Sequence, residues 1–232
     1  LMRFGLPNGL QVFLEVLSFS LFILLVGRLG EVPLAATNLA FNINTLAFLP
    51  MLGLGIAVST LVGRYLGQNR AELAERSTYS ALYLSLGYMC AMASLYVVIP
   101  ELLLRPFGSY ADPESFAPVR EATILLLKYV AFFSVFDASY IVLSAAIKGA
   151  GDTRFVMVAS LLLSWTLMVI PAYLAISVYG WGLYVAWTFV CAYIVIMGFV
   201  FLFRFRGGKW KSMRVIEFES LKEVIPGEPR II

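Results

Sequence analysis

Residues 128–154 read KYVAFFSVFDASYIVLSAAIKGAGDTR, and the rest of the chain can be read outward from this stretch. From Tyr129 to Ile147 the only charged residue is Asp137. At about 1.5 Å per residue such a run spans the hydrocarbon thickness of a bilayer as one helix. Its flanks fit: Lys128 reads as an interface residue that snorkels outward, or otherwise as a counter-ion at an outer mouth. On the far side Gly149 to Arg154 read as a tight turn. There a Gly serves as C-cap, Asp152 as N-cap of the next helix, and Arg154 as an anchor at the boundary.

The composition extends this reading to the whole chain. Of 232 residues, 61% are hydrophobic and only 13% charged, and the mean hydropathy is +0.88. A soluble domain has about a quarter of its residues charged, so the apolar surplus here must face lipid. Six apolar stretches stand out, near residues 6–26, 33–62, 79–104, 118–147, 155–178 and 181–203. The second is too long for one straight span, and Pro50 within it predicts a bend. Asp112 and Pro113 read as N-cap and first residue of the fourth helix. The expected fold is an all-α integral-membrane bundle of six helices over 1–206, followed by a polar cytoplasmic tail, 207–232. No secretory signal is evident, because the first run is too long and lacks a cleavage site.

Several function classes drop out. A net charge of +3 gives no reason to expect a nucleic-acid partner. The absence of histidine removes every His-based catalytic or proton-carrying arrangement. Cys90 and Cys191 lie in apolar runs and read as buried free thiols. The first residue is Leu1, which suits a fragment of a longer protein.

Basic residues set the orientation. Eleven of them, from Arg3 through Arg64, Arg70, Arg76, Lys148, Arg154 and the cluster Arg204–Arg214, fall on one set of connections, against Arg28, Arg105 and Arg120 on the other. Both termini are therefore expected in the cytoplasm, with the protein in the plasma (inner) membrane.

Two carboxylates lie inside the apolar stretches, Glu15 and Asp137. An ionisable group at mid-membrane is costly and usually functional. Counted from the cytoplasmic ends of their helices, both sit roughly 15–17 Å deep, where they could share one cation or proton. Polar residues at helical spacing accompany them: Asn8, Gln11 and Ser18 with Glu15, and Ser134, Tyr140 and Ser144 with Asp137. Asn38, Asn42 and Thr45 form a third stripe. These point to a hydrated cavity inside the bundle. For the neutral residues, hydrogen-bonding between helices is the competing explanation, but such contacts need no charge. Gly149-Ala150-Gly151-Asp152 also imitates the Gly-x-Gly-Asp of intramembrane aspartyl proteases. That enzyme reading fails, because Asp137 and Asp152 lie about 22 Å apart along one helix and a protease dyad must share a proton.

Three motifs in order resemble one family. They are Gly5-Leu6-Pro7 with Glu15; Leu52-Gly53-Leu54-Gly55-Ile56-Ala57 with Val62-Gly63-Arg64-Tyr65-Leu66-Gly67; and Lys148-Gly149-Ala150-Gly151-Asp152-Thr153-Arg154. The chain is similar to the multidrug and toxic compound extrusion (MATE) family of cation-coupled exporters, over about Met2 to Arg214. Members have twelve helices in two lobes. The resemblance implies that this chain is one lobe, most like the second, with an N-terminal six-helix lobe missing. It further implies a non-enzymatic antiporter without cofactor that exports organic, often cationic, compounds against Na+ or H+. Glu15 and Asp137 are then the coupling site, and the metal ligands if the ion is Na+; Gln11, Ser18, Asn38, Asn42, Ser134 and Tyr140 are candidates for the cavity wall. Where the family carries a Tyr one turn before that Asp, this sequence has Phe133, which leaves sodium and proton both open; Tyr140, one turn the other way, could compensate. A related lipid-linked oligosaccharide flippase is the alternative. It typically lines its cavity with basic residues, and the first two helices here have none at depth. A membrane scaffold would give Glu15 and Asp137 no purpose.

Overall fold

The computed structural model describes residues 2–108 and 112–213. Helices α1 (Met2–Gly27), α2 (Glu31–Gly67), α3 (Ala71–Val98) and a short α4 (Pro100–Gly108) are followed by α5 (Pro113–Gly149), α6 (Thr153–Leu163), α7 (Ile170–Tyr173) and α8 (Leu183–Arg206). No strand occurs among the described residues. Among the described residues six stretches are long and apolar enough to cross a membrane, with α6 and α7 belonging to one of them, Thr153–Val178.

Helix α5 is the hub. It packs against α2, α3 and α8, and 72% of its most apolar window is buried, against 22% for α3. Small residues let neighbouring backbones approach it, as lipid-embedded helices require. A Cβ at Gly149 would lie 2.4 Å from the Ser59 carbonyl oxygen of α2, and one at Gly198 of α8 would lie 3.1 Å from the Phe136 carbonyl oxygen. The core between α1, α2 and α8 is aromatic. Trp187 stacks on Phe41 at 5.0 Å and donates its indole N–H to Thr37 Oγ1 at 3.2 Å, which settles the polar end of a fully buried ring.

Asp112 caps α5 by accepting the Ser115 N–H at 3.3 Å, with Pro113 in the first turn, as the sequence indicates. Other local features correct or extend the expectations. Asp152 makes no N-cap bond. It accepts Arg204 Nε at 3.0 Å, and the Arg204 guanidinium also lies 4.5 Å from the Phe155 ring centre. The carboxylate thus pins the α5–α6 turn to the end of α8 instead of capping α6. Ala150 is the C-cap residue of α5, and the glycine after it, Gly151, takes the positive φ of 97° that ends the helix. Helix α2 runs unbroken through Pro50. The segment after Val98 is not plain loop: α4 is a short helix, and Arg120 bonds Glu101 across it to α5. Cys191 is buried but Cys90 is exposed on α3; both are free.

Pro171 is accommodated differently from Pro50. It is flanked by two wide, π-helical turns, Ser164–Val169 and Leu174–Val178. A proline lacks its N–H and crowds the carbonyl four residues back; i→i+5 turns re-space the ladder around it. The region expected as tail begins with order, since α8 reaches Arg206 and a 3-10 turn follows at Lys209–Ser212. There Trp210 stacks on Phe205 at 4.7 Å and Lys211 bonds Glu75 of α3 at 2.7 Å. Arg214 and the remainder of the expected tail lie outside the described residues.

Candidate cation and substrate site between α1, α2 and α5

Helix α1 turns one polar stripe toward α5 and α6. Gln11 and Ser18 are buried on it, and Glu15 between them is partly buried. One carboxylate oxygen of Glu15, Oε1, accepts two hydrogen bonds. Tyr140 Oη donates from α5 at 2.6 Å, and Gln11 Nε2 donates from one turn earlier at 2.9 Å. Tyr140 Oη also lies 3.4 Å from Ser160 Oγ of α6. One turn further along α1, Ser18 Oγ bonds Ser164 Oγ at 3.2 Å, at the first residue of a wide turn in the fifth span. Glu15 is therefore held directly by groups from α1 and α5, with Ser160 of α6 behind Tyr140.

Two cavities meet at this carboxylate. One, of about 440 Å³, holds both Glu15 and Asp137, with Asn44 and Thr45 on the α2 wall and Tyr193 on the α8 wall. The other, of about 490 Å³, lies toward the start of α1 and the end of α5, where Asn8, Ser144 and Lys148 line it. Glu15, Tyr140 and Phe48 line both, so the Glu15–Tyr140 bond stands between the two spaces. Asp137 makes no hydrogen bond to a described residue, and Phe133, on the same wall, offers no oxygen.

The sequence-derived candidates divide. Glu15, Asp137 and Tyr140 come together as expected. Gln11 and Ser18 line neither cavity; Gln11 steadies Glu15, whereas Ser18 turns its hydroxyl to the Leu14 carbonyl and to Ser164. Ser134 is buried, turns its hydroxyl back to the Ala131 carbonyl at 3.0 Å, and also lines neither. Asn38 and Asn42 are placed elsewhere: both are exposed and border a separate shallow pocket of about 320 Å³ with Phe107 and Ser115. The α2 residues facing the acids are Phe41, Asn44, Thr45 and Phe48, an i, i+3, i+4, i+7 face. The stripe 38, 42, 45 followed a different rotation of the same helix, and only Thr45 belongs to both. Asn44, Tyr193 and Lys148 were missed as site residues. Asn44 could have been found from that spacing; Tyr193 carries no such signal in an otherwise apolar α8.

Fold and site define the class: a six-span, all-α membrane bundle enclosing a cavity with two carboxylates at depth. The chain belongs to the MATE family, since the family model described as MatE matches residues 7–174. It is similar to a probable multidrug resistance protein NorM of Thermotoga maritima, 28% identical over 227 residues, covering 97% of this chain and 47% of the relative. It is also similar to the multidrug resistance protein PmpM of Pseudomonas aeruginosa, 32% identical over 165 residues, covering 71% of this chain and 33% of the relative. Among solved structures, a multidrug resistance MATE family transporter of the MOP superfamily in an outward-facing conformation matches with a TM-score of 0.80 at 20% identity. The match covers 91% of this chain and 47% of that one. A second such structure, inward-facing, matches with a TM-score of 0.77 at 21% identity over 90% and 48% of the two chains. The chain thus spans about half the length of these structures and of the Thermotoga relative.

Proposed function

We propose that this chain is one lobe of a cation-coupled exporter of organic, often cationic, compounds. It would work against a second six-helix lobe, with Glu15 and Asp137 carrying the coupling ion. One observation carries the reading: both intramembrane carboxylates open onto the same cavity. A carboxylate in low dielectric demands a counter-charge. A cavity of about 440 Å³ has room for a small ion and part of an organic cation, so the two compete for the same negative charge, which is the requirement for antiport. Alternating access then follows from rocking one lobe against the other around this site. The similar fold match to outward- and inward-facing relatives supports a lobe that moves as a body. With the basic residues inside, both ends of the chain face the cytoplasm.

The test uses Glu15→Gln and Asp137→Asn in the complete transporter, reconstituted in liposomes under an imposed Na+ or H+ gradient. Amides keep the shape and lose the charge. Loss of gradient-driven efflux with folding intact is the expected result. Preserved coupling in both variants would remove these residues from the site.

A further inference from the structure

Lys148 is the charged residue at the site to which antiport by the acidic pair gives no task. It stands in the last turn of α5 and lines the cavity of about 490 Å³ that reaches from Glu15 toward the start of α1. Among the described residues on that lining, Glu15 and Lys148 are the two that carry charge. Lys148 makes no hydrogen bond or ion pair to a described residue. The carboxylate nearest to it in sequence, Asp152, is taken by Arg204 Nε at 3.0 Å.

A lysine at the end of a membrane helix ordinarily snorkels outward to water. The backbone directs this one the other way. Cα–Cβ bonds tilt toward the N-terminus of a helix, which at the end of α5 is toward the membrane interior. The side chain leans over Ser144, one turn earlier, and Tyr140, two turns earlier, and both line the same cavity. Tyr140 is the residue that bonds Glu15 Oε1 at 2.6 Å. Two turns amount to about 12 Å of rise, and the flexible four-carbon stem of a lysine closes much of that gap. Glu15 is the carboxylate that acts on the ammonium electrostatically across this space.

We propose that Lys148 is a tethered counter-cation, whose ammonium competes with the coupling ion for Glu15 from the cytoplasmic side and so helps that ion to leave. The inference rests on the assignment of Glu15 to the coupling ion and adds how the ion is released. An ion that departs from Glu15 leaves a bare carboxylate at depth, which is costly. Lys148 offsets that charge without being transported. Its action is one-sided, because it lines the cavity toward the cytoplasmic end of α5 and not the cavity that Glu15 shares with Asp137. A cation returning to Glu15 through the first cavity meets a like charge on its wall. A unit charge about 10 Å away, at an effective dielectric constant of about 20, changes the affinity for an ion by roughly tenfold.

The experiment measures cation binding to Glu15 in the purified complete transporter. Equilibrium 22Na+ binding reports Na+, and the infrared band of a neutral carboxyl group, assigned by its loss in Glu15→Gln, reports the proton. Lys148→Met is expected to tighten binding of whichever cation Glu15 takes by roughly tenfold. Lys148→Gln, polar but uncharged, is expected to do the same and keeps the test decisive if the methionine variant does not fold. Lys148→Arg, which keeps the charge, is expected to stay within about twofold of wild type. A packing role for Lys148 predicts no gain in affinity in any of the three. Affinity within twofold of wild type in the uncharged variants, or an equal gain in the arginine variant, overturns the proposal while leaving Glu15 as the ion's ligand. If wild type binds neither Na+ nor a proton at a site that Glu15→Gln removes, the underlying site assignment fails, and this inference with it.

Discussion

Substituting alanine at Gly149 should separate two helices that carry opposite walls of the cavity. The added Cβ would stand 2.4 Å from Ser59 O, 2.9 Å from Ser59 Cα and 3.0 Å from Ser59 C, all backbone atoms of α2, whereas ordinary contact begins at 3.4 Å. Relief therefore requires α5 and α2 to part by about 1 Å, because neither backbone can rotate away as a side chain would. Overpacking of this kind costs about 1–3 kcal/mol. For a chain of this size each kcal/mol corresponds to about 2–4 °C in melting temperature. Gly87→Ala provides the control. Nothing lies within 4 Å of its Cβ position, and alanine is the better helix former by up to about 1 kcal/mol, so that variant should melt at or slightly above wild type. Fluorescence-detected size-exclusion melts of both proteins in one detergent supply the assay. A Gly149→Ala protein as stable as the Gly87→Ala control would refute the argument that close α2–α5 contact at Ser59 is a packing constraint.

Three further outcomes are expected. Asp152→Asn should destabilise by about 1–3 kcal/mol, between the values for exposed and buried ion pairs, since Asp152 and its partner Arg204 are 12% and 23% exposed; a double-mutant cycle with Arg204→Gln that shows no coupling would dissolve the clamp. Tyr140→Phe removes the 2.6 Å bond to Glu15 and should cost about 1–2 kcal/mol while reducing gradient-driven efflux. Unchanged efflux would show that the hydroxyl does not position the carboxylate. In a cysteine-free background, a cysteine at Gln68 should react with impermeant reagent only from the cytoplasm and one at Asp112 only from outside; reaction at Asp112 from the cytoplasmic side would overturn the orientation read from the basic residues.

Much of this molecule is legible before any coordinates are seen, because lipid simplifies the code. A run such as Tyr129–Ile147 has only one stable fate in a bilayer, so span number follows from hydropathy alone. Glu15 and Asp137 are legible for the same reason: against an apolar background a lone charge is conspicuous. What hydropathy does not carry is rotation. The lipid-facing and cavity-facing sides of α2 are both apolar, so Asn38 and Asn42 compete equally with Asn44 on paper, and only packing against α1 and α5 chooses among them. Asp152 illustrates a second blind spot. Its place after Gly151 fits an N-cap, but the choice between the local N–H groups and Arg204 is decided by a side chain 52 residues away.

The wide turns around Pro171 join these threads. A proline in a membrane span announces a disturbed ladder, yet the sequence leaves its form open, and α2 shows that Pro50 leaves its helix unbroken. In the fifth span the disturbance spreads backward from Pro171 to Ser164, stopping one turn short of Ser160, which lies in regular α6. Those two serines are the ones that meet Ser18 of α1 and Tyr140 of α5. The rotation of the Ser164 hydroxyl relative to Ser160 is therefore set by the register that the proline imposes. Replacing Pro171 with alanine should let the span relax toward a regular α-helix, rotating Ser164 relative to Ser160 and loosening the Ser18 contact at 3.2 Å. The expected signature is a helix stabilised by up to about 3 kcal/mol, the intrinsic penalty of an interior proline, together with weaker cation-coupled efflux. A variant that gains stability and couples as well as wild type would show that the wide turns only accommodate the proline and do nothing for the site.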